Sequence, residues 1–597
     1  MKITVLLLLA VAGVLPAAVP RPEYPQPQFE RKEWLSLNGA WEFEFDDGNV
    51  GLDRGWAAGG RAFSKSITVP FCFESKQSGI GDTSFHPYVW YRRGVTLPAG
   101  WAGRRVLLRF GAVDYHAAVW VNGKLAGTHE GGHTPFQFDV TALLGTGSNT
   151  VVVRAEDPPE DRYLPRGKQY WEPASRGIFY TRTTGIWQSV WMEAVGESYL
   201  EHVRITPSID GTVRFEARVA RPSPGVVFHA AVAFAGKPVA APSAPLDGSR
   251  ASALAAAHDP KLWSVAAPQL YDVEFELRKD GKVLDRVTSY FGFRAAEASG
   301  GRFLLNGRPT YLKMVLDQGY WPESILTPPS DEAIQYDICV TKEMGFNGAR
   351  KHQKLEDPRF LYWADRMGFL VSSEMANAYL YDERYAARFT REWIEAVERD
   401  YNHPSIVMWI PINESWGAPN LRDPRQQSHL KALYHLTKSL DPTRLVIDND
   451  GWEHTDTTDL FGIHDYAKNG AVFRAKYKDL GKPGAPVPPN GRAALAPGFR
   501  YNGSPVFLSE FGGIAFLEAG QKAAEGAWGY AGVEPSAEAA LARLRSLYEA
   551  IADTPAIMGI CYTQLTDVEQ EINGLLTYGR KPKFDAKVLR EINGLLQ

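Results

Sequence analysis

The chain has 597 residues, too many for one hydrophobic core, so two to four domains are expected. Hydrophobic residues make up 44% and charged residues 22%, the balance of an ordinary globular protein. The net charge of −4 comes with no basic stripe, which argues against a nucleic-acid partner.

The chain begins "MKITVLLLLAVAGVLPAAVP". Lys2, an apolar run from Ile3 to Leu15 and small residues at Ala17 and Ala18 make a secretory leader, too short for a permanent spanning helix. Residues 1–19 are therefore read as a signal peptide cut near Ala17–Val19, and the protein as periplasmic or secreted. No Cys follows the leader, so no lipid anchor is expected. No other window approaches 18 apolar residues, so no membrane association is expected.

Residues 28–196 read as all-β. "WEFEF", "VWYRRGVTL", "RRVLLRFGAV", "FQFDVTALL", "NTVVVRAED" and "SVWMEAV" alternate or run apolar over strand lengths. "VNGK" at 121–124 predicts a two-residue hairpin turn, because Asn-Gly tolerates the positive φ of type I′. Many short strands predict a jelly roll. Residues 197–297 carry a second strand set, including "HVRITPSI", "TVRFEARVA" and "VVFHAAVAF". Their length and spacing predict an immunoglobulin-like sandwich. The Ser/Pro/Ala-rich stretch 236–257 reads as a long loop.

From 298 to 597 short apolar strands alternate with helical stretches at 330–344, 358–367, 383–400, 424–440 and 535–552. Eight strand segments, from "YLKMVLD" to "IMGICYTQ", predict a (β/α)8 TIM barrel. Active residues of such barrels sit at the C-terminal strand ends. Cys72, Cys339 and Cys561 are odd in number and far apart, and read as buried small hydrophobes rather than a disulfide or zinc framework.

"SIVMWIPINE" is the fourth barrel strand and "VFLSEF" the seventh. They end in Glu414 and, 96 residues later, Glu510. Strands four and seven face each other across a closed barrel. Two carboxylates across a cleft suit retaining glycoside hydrolysis, where one attacks the anomeric carbon and the other handles the proton.

The local contexts resemble glycoside hydrolase family 2, which holds β-galactosidases, β-glucuronidases and β-mannosidases. "NES" at 413–415 matches its acid/base motif and "SEFGG" at 509–513 its nucleophile motif. "GFNGARKHQKLEDPRFLYWADRMGFLVSSE" at 345–374 and "GIWQSVWME" at 185–193 are similar to two further family stretches. The resemblance covers nearly the whole chain after the leader, in the family's domain order.

It implies that Glu414 is the acid/base and Glu510 the nucleophile. Asn413 would bond the sugar's 2-hydroxyl and Arg350 would keep the nucleophile ionised. His352 becomes a ligand for sugar hydroxyls. Tyr466 would touch the nucleophile, with His464 and Asp465 as rivals in the same segment. Glu374 is expected to back the acid/base or bind sugar, and Trp416 to offer a sugar platform, with Trp409 in the core.

After strand eight, β-glucuronidases carry Asn-x-Lys-Gly, which grips the sugar carboxylate. This chain has Glu571-Ile572-Asn573-Gly574, and a Glu there should repel a uronate. "NGLLTYGRKP" resembles the β-galactosidases instead, which makes Asn573 a substrate contact. Tyr562 stands where those enzymes present a Trp, their His-rich metal surroundings are missing, and the chain ends with the barrel. The expected activity is that of a retaining exo-glycosidase, first a β-galactosidase. A β-glucuronidase, β-mannosidase or α-L-arabinopyranosidase is the alternative, and a non-catalytic glycan-binding protein the non-enzyme rival. No cofactor or metal is expected; the partner is a carbohydrate substrate, and a homo-oligomer is compatible with the sequence.

Overall fold

The computed structural model describes residues 19–482, 484–517 and 526–596. Apart from Val19, the expected signal peptide lies outside the described residues. No helix among the described residues is long and apolar enough to cross a membrane.

The first domain is the expected jelly roll of two antiparallel sheets. One holds Trp34–Ser36, Val190–Val195, Arg105–Phe110 and Phe136–Asp139, and the other has six strands, with Tyr88–Thr96 and Ser148–Glu156 at its centre. Alternate residues of both, among them Trp41, Phe43, Tyr91, Leu108 and Val153, fill the space between them. Asn122 (φ 50°) and Gly123 (φ 75°) form the predicted turn between His116–Val121 and Lys124–Glu130.

The second domain is a sandwich of a three-stranded and a five-stranded sheet. Here the stretch 236–257 departs from the expected loop. It contains the strands Lys237–Ala240, Ser243–Pro245 and Arg250–Ala256. In "RASALAA" every second residue is buried, all of them alanines. Alanine has low strand propensity, so the period of two carried little apolar contrast.

The third domain is the barrel. Its strands are β1 (Leu312–Asp317), β2 (Gly348–Lys351), β3 (Leu370–Glu374), β4 (Ile406–Ile410), β5 (Leu445–Val446), β6 (Phe461–Asp465), β7 (Val506–Gly512) and β8 (Ile557–Thr563). They pair in parallel in the order β5-β4-β3-β2-β1-β8-β7-β6. The two-residue β5 makes no ladder with β6. That seam is joined instead by Asp459 N to Val446 O (2.9 Å) and by His454, set between Asp448 Oδ1 and Gly462 O at 2.7 Å each.

The helices are α1 (Asp331–Glu343), α2 (Pro358–Met367), α3 (Glu383–Asp400), α4 (Pro424–Leu440), α5 (Gly470–Tyr477), α6 (Ala537–Ala552) and α7 (Ala586–Asn593). Each starts on a Ser, Asp or Asn whose side chain accepts a first-turn N–H. Helices α5 and α7 add to the five expected from the sequence. Leu312, Met314, Met408, Phe507 and Cys561 fill the barrel axis, with Phe303 and Leu305 of a preceding hairpin packed in the same cluster. Cys72 and Cys561 are buried as expected; Cys339 is exposed on α1, where the helix turns it to solvent.

The jelly roll does not stand apart from the barrel. Its segment 158–184 lies across the C-terminal strand ends. Gly167 N donates to Asn377 O beyond β3 (2.9 Å), and Trp528 Nε1 and Gln570 Nε2, beyond β7 and β8, donate to Gly177 O (3.0 and 2.6 Å).

Candidate active site

The apolar strand β4 carries the chain to Asn413 and Glu414 at the barrel mouth. Glu414 (φ 52°) and Ser415 (φ 61°) both adopt the left-handed backbone, which costs a non-glycine residue about 1–2 kcal/mol each. Three bonds hold them there: Glu414 N to Asp450 O (2.9 Å), Ser415 N to Asn449 Oδ1 (2.8 Å) and Trp416 N to Asn413 O (2.8 Å). At Gly417 (φ 77°) an added Cβ would meet Tyr385 Oη at 2.0 Å, so the turn requires glycine. This strained corner turns Glu414 into the mouth, where its side chain keeps 18% of its exposure.

Glu510, on β7, is almost fully buried. Its Oε1 accepts from Arg350 Nη1 (2.9 Å) and its Oε2 from Tyr466 Oη (2.5 Å). Arg350 is wholly buried and is the hub of the site. It also bonds Glu374 Oε2 (2.8 Å) and Asn413 Oδ1 (2.6 Å), and lies 3.0 Å from Asp450 Oδ2. Burial opposes its charge, but Asp450, Glu374 and Glu510 outweigh that and raise its pKa further. Asn413 Oδ1 is thus fixed by the guanidinium, while its buried Nδ2 has no partner among the described residues and is free for a substrate hydroxyl.

His464, on β6, links the two carboxylates. Its Nδ1 is 2.7 Å from Glu414 Oε1 and 3.5 Å from Glu510 Oε2, and its Nε2 is 3.3 Å from Asp450 Oδ2. Burial lowers its pKa, but Glu510, Asp450 and Glu414 outweigh burial and push it to about 10. One ligand-type atom each of Glu414, His464 and Glu510 lies within 4.8 Å of the others, and this is the group among the described residues that could hold an ion. A protonated imidazole donates rather than coordinates, so the trio reads as a carboxylate pair with a bridging cation. One oxygen of each carboxylate thus lies within 4.8 Å of the other, which is closer than the about 6.5–9.5 Å of an inverting pair.

Three models of one family cover the chain in sequence: the sugar binding domain of glycosyl hydrolases family 2 at 34–181, a second domain of the family at 198–294, and its TIM barrel domain at 297–470. The chain belongs to glycosyl hydrolase family 2. Among its relatives, a putative β-glucuronidase from Formosa agariphila is 26% identical over 74% of this chain and 40% of that protein. A β-galactosidase from Photobacterium profundum is 25% identical over 71% of this chain and 43% of that protein. The chain thus spans less than half the length of these two relatives. The fold is shared with the β-glucuronidase of Bifidobacterium dentium complexed with coumarin-3-O-glucuronide, at TM-score 0.79 and 22% identity over 96% of this chain and 98% of that one.

In this family 2 chain the structure brings most of the expected residues together and corrects several. Tyr562 does not face the mouth. Side chains alternate along β8, so Cys561 lies in the axial cluster while Tyr562 packs outward among the helices, against Phe511. The neighbouring Thr563 reaches the site, its Oγ1 3.2 Å from Tyr466 Oη, to which it can donate because Tyr466 gives its single proton to Glu510. Asp465 points outward by the same alternation, to Lys476 and Tyr477 of α5. Glu374 has no exposed surface, and its oxygens accept from Arg350 Nε and Gln353 N, so it positions Arg350 rather than binding sugar. Burial, against Arg350, raises its pKa to about 7.

His352 is buried and its pKa falls well below the usual value, first through burial and then through Lys168 and Arg350. Its Nδ1 lies 3.1 Å from Glu374 Oε1, without an aligned hydrogen bond, so this edge of the ring faces the buried carboxylate. Asn573 donates to Glu571 Oε1 (3.0 Å) and leaves its own Oδ1 unpartnered. Trp416 is half-buried against Phe179 and Tyr379, and Trp409 is core, bonded to Asp441. Sequence reasoning missed Asp450, Tyr530, Tyr180 and Lys168. Tyr530 stacks flat on Tyr466 (centroids 3.4 Å, 3° between planes). Of the four, Asp450 had a signal, since "LVIDND" ends a barrel strand in acids.

Proposed function

We propose that this chain is a retaining exo-glycosidase, with Glu510 as nucleophile and Glu414 as acid/base, that releases a terminal β-linked uronic acid. The single observation carrying the chemistry is the close carboxylate pair, one member accepting from Arg350 and Tyr466 and the other set on a strained turn beside His464. Glu510 attacks the anomeric carbon while Glu414 gives its proton to the departing oxygen. Glu414 then takes a proton from the water that cleaves the glycosyl ester. Asn413 Nδ2 donates to the sugar's 2-hydroxyl, a bond that tightens in the transition state. The covering segment 158–184 supports exo action, because it walls the mouth on one side.

For the sugar, the β-glucuronide reading replaces the β-galactoside expected from the sequence. The names of the relatives support it, and so does the state of Glu571. Both oxygens of this carboxylate are engaged, by Tyr180 Oη (2.6 Å) and Asn573 Nδ2 (3.0 Å). Burial raises its pKa while Lys168 opposes. Its charge is thus answered within the protein rather than turned on a uronate. The unpartnered Asn573 Oδ1 and the Photobacterium relative favour a β-galactoside as the second reading. Export through the leader at 1–19 is part of the proposal, and N-terminal sequencing of the secreted protein checks it.

The decisive experiment is a panel of nitrophenyl glycosides: β-glucuronide, β-galactoside, β-mannoside and α-L-arabinopyranoside. The glucuronide should be cleaved fastest. Glu510→Gln should abolish turnover. Glu414→Ala should spare substrates with good leaving groups and be rescued by azide. Near-normal activity of Glu510→Gln would sink the assignment.

A further inference from the structure

Lys168 stands on the jelly roll, yet it is 6% exposed and lies at the mouth of the barrel. Its Nζ sits 4.9 Å from the centroid of Trp416, two residues beyond the acid/base. No carboxylate among the described residues lies within 4.0 Å of it, and none of them accepts a hydrogen bond from it.

The backbone around it is fixed. Tyr180 N donates to Lys168 O (2.8 Å), and Tyr379 Oη donates to Gly167 O, with Gln169 O also 2.9 Å away. The Gln169 side chain is held between Asp114 Oδ2 (2.8 Å) and Thr183 N (2.7 Å). At Gly167 (φ 60°) a Cβ would stand 2.2 Å from Gln353 O, so the segment is pressed against the barrel where Lys168 enters. After burial, the Lys168 charge is the leading influence on both His352, beyond β2, and Glu571, beyond β8. The contact with Trp416 beyond β4 and the bond from Gly167 N to Asn377 O beyond β3 place the ammonium at the mouth.

We propose that Lys168 is a specificity-determining residue, supplied by the jelly roll, whose ammonium binds the carboxylate of a uronic acid in the active site. The proposal rests on the glycosidase reading above and names the group that selects its sugar. The carboxylate would give the ammonium an anion within hydrogen-bond distance, which none of the described residues supplies, with Trp416 covering one side.

The test compares kcat/KM for 4-nitrophenyl β-D-glucuronide and β-D-glucoside, which differ only in the carboxylate. In Lys168→Met the glucuronide-to-glucoside ratio should fall about 30- to 100-fold, the worth of a charge-assisted hydrogen bond. Lys168→Arg should recover most of it. Calorimetric titration with D-glucaro-1,5-lactone against D-glucono-1,5-lactone gives the same comparison without turnover. An unchanged ratio in Lys168→Met, including an equal loss on both sugars, overturns the assignment and leaves the glycosidase reading standing. A wild-type protein that prefers the neutral sugar overturns the uronate reading and Lys168 together. A wild-type protein that cleaves no glycoside, and binds neither lactone, overturns the glycosidase reading as well.

Discussion

Asn413→Ala tests the site at one atom. In the free protein, the buried Nδ2 without a partner costs about 1–3 kcal/mol, while Oδ1, held by Arg350 at 2.6 Å, returns about 1.5–3 kcal/mol. The substitution removes both, so the melting temperature should move little. The transition state loses more, because the bond from Nδ2 to the sugar hydroxyl tightens there. A preorganised donor of this kind is worth about 2.7–4 kcal/mol, or 10²- to 10³-fold in kcat/KM. The assay is steady-state hydrolysis of an aryl β-glycoside and of its 2-deoxy analogue, with a thermal melt alongside. The loss should be about 10²- to 10³-fold on the parent and small on the analogue, which has no 2-hydroxyl to lose. An equal loss on both would show that Asn413 acts through Arg350 and not on the sugar.

His464 predicts a pH-dependent stability. Its folded pKa of about 10 lies above the ordinary 6.5, so its contribution is complete below pH 6.5 and is lost as pH rises toward 10. The gap in melting temperature between the wild-type protein and His464→Asn should therefore be wide at pH 6 and narrow by pH 10; a gap independent of pH would contradict the bridging cation. Gly167→Ala places a Cβ 2.2 Å from Gln353 O at a φ of 60°. It should destabilise by about 1–3 kcal/mol and lower kcat/KM as the covering segment lifts, whereas unchanged melting and unchanged kinetics would show that this approach is not tight.

Much of this protein was legible locally. The eight barrel strands and five of the helices follow from the alternation of apolar and helical stretches, and the Asn122-Gly123 turn from the φ that those residues tolerate. Glu414 and Glu510 were legible because each ends an apolar strand, where an acid has no structural excuse. Alanine strands in the second domain were not, since a weak apolar contrast hides the period of two. Tyr562 and Asp465 were misplaced for a related reason. The segment was right, but the face each residue takes depends on where its strand enters the barrel. The network around Arg350 joins β2, β3, β4, β5 and β7, and no one segment announces it. Lys168 is 248 residues from Trp416, and its neighbourhood exists only because one domain lies across another. A sequence specifies elements through short-range steric and hydrophobic rules. Which distant charges share a buried volume is decided by packing.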